Sequence, residues 1–93
     1  MDTTEAVNLL SARVAELRTL GYESLLEYLT PENRRVEGDS GKEYQIETQA
    51  FWDSGQRHKN LRVIAAIDDG GIRALSPLTD DFIISPDGHF VGE

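Results

Sequence analysis

The sequence predicts an α+β fold, in which two N-terminal helices are followed by an antiparallel meander of three to five strands. Apolar residues recur at helical spacing in the first third of the chain and alternate with polar residues from residue 44 onwards. An Asp-Gly pair also lies between two short apolar segments in residues 60–78, which is a strong hairpin signal. Helices before strands favour antiparallel pairing in one domain, with a helical part at 2–33 and a sheet part at 43–93.

The first predicted helix covers residues 2–20. Asp2 and Glu5 have the spacing of a capping box, with Asp in place of Ser. Gly21 lies where a left-handed residue ends many helices. The apolar stripe consists of Val7, Leu10, Val14 and Leu17, with Ala6 and Arg13 beside it.

A second, shorter helix is predicted at residues 23–29, with an apolar face of Leu25, Leu26 and Leu29. It ends before Pro31, because the residue that precedes proline avoids the α region. Residues 31–33 offer one further helical turn as an alternative. Residues 34–42 are polar and contain two glycines, so we expect a flexible connection there.

A half-buried strand is predicted at residues 44–52, where the apolar period changes to two. One side of it carries Tyr44, Ile46, Thr48, Ala50 and Trp52. If the loop at residues 53–60 closes symmetrically, Trp52 faces Leu61, Ala50 faces Val63 and Ile46 faces Ile67.

The next predicted hairpin turns at Asp69 and Gly70, both with positive φ. This turn would place Ile72 opposite Ile67 and Ala74 opposite Ala65, so one register would serve three strands. A small closing hairpin is predicted after it. Its turn contains Pro86, Asp87 and Gly88, and it pairs Phe90 and Val91 with Ile83 and Ile84.

Three short motifs carry a resemblance to known proteins. They are AFWD at residues 50–53, RVI at 62–64 with IDDGGIRA at 67–74, and FI at 82–83 with PDG at 86–88 and FVGE at 90–93. With these motifs, residues 44–93 resemble a group of small bacterial proteins that share a domain of unknown function. The resemblance implies a recurrent domain, and it implies no activity, cofactor or functional residue.

The composition narrows the classes of partner. The chain has 93 residues, no cysteine and a formal net charge of −8. That charge disfavours nucleic acid and anionic lipid, and it favours another protein, particularly a basic one, or a second copy of the chain. No uninterrupted apolar segment is long enough to cross a membrane, and no secretory signal is visible, so we expect a cytoplasmic protein.

No catalytic, cofactor-binding or metal-binding residue is predicted. The carboxylate pairs at residues 68–69 and 80–81 lack the alternating ligand spacing of a calcium loop, and turn or solvated-loop roles explain them. His58 and His89 lie in predicted loops without a nucleophile at a recognisable spacing. The basic residues 57–59 form too small a cluster for nucleic-acid binding.

The second face of the predicted sheet is unusual, because an apolar centre is surrounded by polar residues. The possible protein-interaction face consists of Phe51, Arg62, Ile64, Arg73 and Leu75. The predicted registers place Phe51 opposite Arg62 and Ile64 opposite Leu75. Either the C-terminal segment covers this face, which we favour, or a partner does.

The leading functional prediction is a small acidic domain without enzymatic activity that binds another protein, in the manner of an inhibitor or immunity protein, or binds itself. The alternative is a small-molecule-binding or enzymatic domain with a cleft between helices and sheet. Tyr28, Tyr44 and Trp52 would line that cleft, with Arg73 or Asp53 as polar contacts.

Overall fold

A computed structural model describes residues 3–70 and 77–93. It contains an N-terminal helical part followed by a four-stranded antiparallel sheet in the order β1-β2-β3-β4, which confirms the predicted α+β class. The elements are α1 Thr3–Arg18, α2 Gly21–Leu25, a 3₁₀ turn Leu26–Leu29, β1 Glu32–Glu37, β2 Glu43–Trp52, β3 Leu61–Asp68 and β4 Leu78–Ile84.

Helix α1 buries one narrow stripe against the sheet. The buried residues are Ala6, Leu10, Arg13, Val14 and Leu17. Val7 was predicted within this stripe, but its side chain is 43% exposed. The stripe is centred on the line from Ala6 through Leu10 to Leu17, and at about 100° per residue Val7 lies about 80° from that line, farther from it than Val14 and at the edge of the buried side. Gly21 has the predicted positive φ, +79°, and α2 begins at this residue.

The predicted flexible connection at residues 34–42 is wrong for its first part, because Glu32–Glu37 forms β1. The alternative helical turn at residues 31–33 is wrong for the same reason. Four of the six residues in β1 are charged, so the strand shows no apolar alternation in the sequence. Pairing with β2 stabilises it, through a turn in which Gly38 N donates to Lys42 O at 2.8 Å.

The β2–β3 register agrees with the prediction. Trp52 pairs with Leu61, Ala50 with Val63, and Ile46 with Ile67. The intervening loop closes through a hydrogen bond from Asp53 N to Asn60 O at 2.8 Å. Apolar residues therefore face each other along the inner side of this central pair of strands, except where Thr48 lies opposite Ala65.

The predicted register after Gly70 is wrong. Leu78 pairs with Ile67 and Asp80 pairs with Ala65, so β4 occupies the places predicted for Ile72 and Ala74, which lie outside the described residues. Gly70 has φ +82°, as predicted, but Asp69 does not have positive φ. Gly70 N instead donates to Asp68 Oδ1 at 2.8 Å, and such a side-chain bond turns the backbone without a second left-handed residue.

The closing hairpin is confirmed. Ile84 and Phe90 form a bridge, and Val91 N donates to Ile83 O at 2.8 Å. Because bridged residues share one face of a sheet, Phe90 lies on the same face as buried Ile84. Its ring meets the ring of Phe82 edge-on at 5.7 Å. The described C-terminal residues therefore extend the inner face, which contradicts our preference for a C-terminal segment that covers the outer face.

The hydrophobic core lies between α1, α2, the 3₁₀ turn and one face of the sheet. Its sheet residues are Tyr44, Ile46, Ala50, Leu61, Val63, Ala65, Ile67, Phe82 and Ile84. Every second residue of β2 and β3 contributes to it, so the intervening residues point away from the helices. None of the helices in the described part of the chain is long and apolar enough to cross a membrane.

Candidate protein-interaction face

The outer face of the sheet is the face directed away from α1 and α2. On it, Phe51, Arg62 and Ile83 lie side by side on β2, β3 and β4. Ile64 lies two residues from Arg62 and is therefore a diagonal neighbour of both apolar side chains, at about 7 Å. We call these four residues the outer patch. Phe51 is 40% exposed, and the other three side chains are half-buried.

Arg62 at the centre of the outer patch is held between two carboxylates. Its Nε and Nη2 atoms donate to Asp53 Oδ1, each at 3.3 Å, and its Nη1 donates to Asp81. The bond to Asp81, and then the one to Asp53, raise the pKa of the Arg62 guanidinium above its ordinary value. The fixed arginine stem extends the apolar surface between Phe51 and Ile83.

Acidic residues lie on the same face of the sheet as the outer patch, most of them toward its other end. Positions directed outward on the four strands include the acids Glu37, Glu43, Glu47, Asp68 and Asp81 and the bases Arg35 and Arg62. Arg35 is paired with Glu43 at 3.5 Å. The outer face therefore presents an apolar patch at one end and an excess of acids toward the other, which is complementary to a surface that combines an apolar area with neighbouring basic residues.

The predicted interaction face is only partly assembled by the described residues. Phe51 and Arg62 are paired as predicted, and Ile64 lies beside them. Arg73 and Leu75 lie outside the described residues, and Asp81 is the residue of β4 that pairs with Ile64. Sequence reasoning missed Ile83. Ile83 lies between Phe82 and Ile84 in an apolar segment, and successive side chains of a strand point to opposite faces. If Phe82 and Ile84 face the core, Ile83 must face outward, and this signal could have revealed it.

The aromatic residues predicted to line a cleft lie far apart. Tyr44 and Trp52 are eight residues apart in β2, which corresponds to about 26 Å along a strand. Tyr44 is buried and its hydroxyl donates to Glu5 Oε1 at 2.9 Å. Trp52 contacts the His58 ring, with centroids 5.5 Å apart. Tyr28 accepts a hydrogen bond from Arg13. Because Tyr44 and Trp52 lie at opposite ends of β2, the three residues line no common cleft.

A polar network in the core was also missed by sequence reasoning. Arg13 is 5% exposed and lies at the contact between α1 and the sheet. Its Nη2 donates to Tyr28 Oη and to Glu32 Oε1, both at 3.1 Å, and its Nε donates to Thr48 Oγ1 at 3.3 Å. A further bond joins Nη1 to Glu16. This arginine connects α1 with the 3₁₀ turn, β1 and β2, which is a structural role.

The carboxylate pairs take part in local contacts. Asp68 holds the turn at Gly70, and Asp69 forms an ion pair with Lys42 at 3.2 Å. Asp80 Oδ1 accepts a hydrogen bond from the Asp81 backbone at 2.9 Å. Among the residues that the structure describes, no three His, Asp or Glu side chains are grouped closely enough to hold a metal ion.

Both histidines lie on exposed parts of loops, and each has a local contact. His58 has φ +65° and packs against Trp52. His89 Nδ1 lies 3.1 Å from Asp87 Oδ2 in the closing turn. Hydrogen bonds from Ser85 and from the His89 backbone hold the pKa of the Asp87 carboxyl below its ordinary value. Ser85 Oγ also lies in this turn, but its described hydrogen bonds go to Asp87 and to the backbone N and O of His89, and none of them joins it to the His89 ring.

Comparison with protein-family models, with curated proteins and with solved structures found no match. The resemblance of residues 44–93 to a group of small bacterial proteins therefore stays a prediction.

Proposed function

We propose that this protein acts by binding another protein through the outer face of its sheet. The observation that carries the proposal is the outer patch, in which exposed Phe51 and half-buried Ile64 and Ile83 surround a neutralised arginine. An antiparallel sheet can leave one face to solvent, but polar residues then predominate on it. A cluster of large apolar side chains on such a face is typical of interaction surfaces.

The partner is a protein with an apolar contact surface and basic residues around it. The formal net charge of −8 and the acids elsewhere on the outer face would accelerate encounter with a basic surface. An inhibitor-like or immunity-like role toward a basic protein is one form of this function. Binding driven by such charges weakens as the salt concentration rises.

The size of the face limits the affinity. Four strands about 4.8 Å apart and about 26 Å long give a flat area of about 500 Å². A stable complex buries about 800 Å² on each partner, so the sheet alone supports a transient complex. The loop at residues 53–60 begins directly after β2 at the patch end of the sheet, and it offers further contact area.

Affinity capture with matched variants tests the proposal. Wild-type protein, Phe51→Glu and Val7→Glu are immobilised, and proteins retained from a lysate are quantified by mass spectrometry. Val7 is a suitable control because it is as exposed as Phe51 but lies on α1, on the opposite side of the molecule. The retained amount of proteins that bind the outer patch should fall by at least about tenfold with Phe51→Glu and stay unchanged with Val7→Glu. Equal retention by all three proteins would exclude the outer patch as the binding surface.

A further inference from the structure

Strand β1 forms one edge of the sheet. In the described part of the chain it pairs with β2 alone, so one row of its backbone N–H and C=O groups lacks a strand partner. Helix α1 packs mainly on β3 and β4, and the 3₁₀ turn packs on β2. The helical layer therefore covers mainly β2, β3 and β4 and leaves the inner side of β1 partly open.

Cavities lie on both sides of this edge. On the inner side, a cavity of about 180 Å³ lies between α1 and β1. It is lined by the apolar residues Leu9, Ala12, Val36 and Ile46 and by the charged residues Arg13, Glu16 and Arg34. A second cavity, of about 310 Å³, shares Leu9 with the first and reaches Asp39. On the outer side, a cavity of about 220 Å³ is lined by Arg35, Val36, Glu37 and Glu43.

We propose that the β1 edge binds an extended peptide segment of a partner protein as a fifth strand. The backbone of an added strand pairs with the open edge, and its side chains alternate between the two faces. One set of side chains would then enter the inner cavities, and the other set would lie in the outer cavity. This site is separate from the outer patch and does not depend on its function.

The lining residues specify the chemistry of the peptide. Four of the seven residues that line the inner cavity are apolar, and Arg13 and Arg34 are both paired with Glu16, so the peptide residues directed inward are apolar. The basic residues of β1 are already paired, since Arg34 lies 3.4 Å from Glu32 and Arg35 lies 3.5 Å from Glu43. Glu37 and Asp39 at the end of the strand leave an excess of negative charge. Lysine or arginine at alternate peptide positions matches this excess.

A second copy of the chain is a poorer occupant. Directly opposite residues share one face of a sheet, so the two antiparallel registers that pair most of β1 about a two-fold axis place either Arg34 opposite Arg34 of the other copy or Arg35 opposite Arg35. Like charges directly opposite each other on neighbouring strands are destabilising. A charged edge of this kind opposes self-pairing but accepts a strand of complementary charge.

The test uses a capped heptapeptide of alternating lysine and isoleucine, titrated into ¹⁵N-labelled full-length protein. Binding should shift the amide signals of Glu32–Glu37 and of Ala12, and it should protect β1 amides from hydrogen exchange. One control peptide carries glutamate in place of lysine, and a second carries methyl groups on alternate backbone nitrogens. Both should bind at least about tenfold more weakly.

A matched pair of protein variants locates the site. Ala12 lines the inner cavity, whereas Ala15 is exposed elsewhere on α1. Ala12→Phe fills the cavity and should weaken peptide binding by at least about tenfold, while Ala15→Phe should change it by less than about twofold. Both variants place the same residue in the same helix, so an effect of phenylalanine on helix stability is common to both.

Three outcomes would overturn the proposal. The first is no saturable binding of the lysine–isoleucine peptide below about 1 mM. The second is shifts that map to the outer patch and leave β1 unchanged. The third is equal affinity of Ala12→Phe and Ala15→Phe. Sedimentation without peptide provides a further test, because a dimer that dissociates on Glu37→Lys would identify a second copy as the occupant.

Discussion

On the inner face of the sheet, Leu61, Val63 and Ile67 of β3 are fully buried against the helices. Their neighbours Arg62 and Ile64 in the same strand point the other way and keep contact with solvent. One strand thus supplies a closed core on one side and a part-apolar surface on the other. A side chain can therefore be assigned to stability or to recognition from its face, although both faces contain isoleucine and arginine.

The pair of isoleucines in β3 gives the largest expected difference between the faces. Ile67→Ala removes a fully buried side chain, so the free energy of unfolding should fall by about 2–5 kcal/mol. Ile64→Ala on the outer face should lower it by less than about 1 kcal/mol, because the lost contacts are partly solvated already. Urea denaturation of both variants measures the difference. Equal losses would show that the outer face is packed like the core.

Two arginines allow the same comparison for polar groups. Arg13→Leu leaves the buried Thr48 hydroxyl without its hydrogen-bond donor, and the free energy of unfolding should fall by about 1–3 kcal/mol. Arg35→Leu removes an exposed ion pair with Glu43 on the outer face, and should change stability by less than about 0.5 kcal/mol. The two leucine variants are compared by thermal melting. A larger loss for Arg35→Leu would reverse the assignment of the two faces.

The turn after β3 depends on the backbone conformation of one residue, Gly70. Gly70 has φ +82°, a conformation that side chains with a branched Cβ rarely adopt. Gly70→Val should therefore lower the free energy of unfolding by about 1–3 kcal/mol. No atom of the described residues lies within 4 Å of a Cβ added at Gly70, so the variant measures backbone strain rather than a clash with them. A denaturation midpoint equal to that of the wild type would show that the turn does not need positive φ.

The prediction from sequence succeeded where two strands select each other by apolar alternation. The β2–β3 register follows from facing apolar residues such as Ala50 and Val63, and it was predicted without error. Strand β1 was not predicted, because its charged residues carry no alternation and its structure depends on β2. The predicted turn with two left-handed residues is replaced by a turn in which the Asp68 carboxylate accepts a hydrogen bond from the Gly70 backbone. Such local side-chain hydrogen bonds compete with ideal hairpin geometry.

The candidate site was predictable only to the same extent. Phe51 and Arg62 were paired correctly because their register was correct. Ile83 belongs to the outer patch because β4 pairs with β3 in the described part of the chain. The network around Arg13 depends on Glu32 and Tyr28, which are distant in sequence, so no local spacing could reveal it.

The smallest expected effect is on the loss of folding stability at acidic pH. Glu5 accepts hydrogen bonds from Ser40 Oγ at 2.7 Å, from Ser40 N at 3.0 Å and from Tyr44 Oη, and these hold the pKa of its carboxyl below the ordinary value of 4.5. A lowered folded-state pKa contributes stability above pH 4.5, and this contribution is lost as the pH falls through the folded-state pKa.

Melting temperatures measured across the acid range test this assignment. Glu5→Gln should reduce the loss of stability below pH 4.5, because the variant has no carboxyl to protonate at this position. Glu27→Gln is the control, since Glu27 is exposed on the 3₁₀ turn. A pH profile of Glu5→Gln that coincides with that of the wild type would show that the Glu5 contacts do not link protonation to folding.

The central claim is that the outer patch is a surface for recognition and contributes little to the core. Ile64→Lys tests it most directly, because the new ammonium group would lie opposite Asp81 in solvent if the claim holds. The free energy of unfolding, measured by urea denaturation, should then change by less than about 1 kcal/mol. A loss of several kcal/mol, comparable to that of Ile67→Lys on the inner face, would mean that the patch is buried within the fold and would contradict the account.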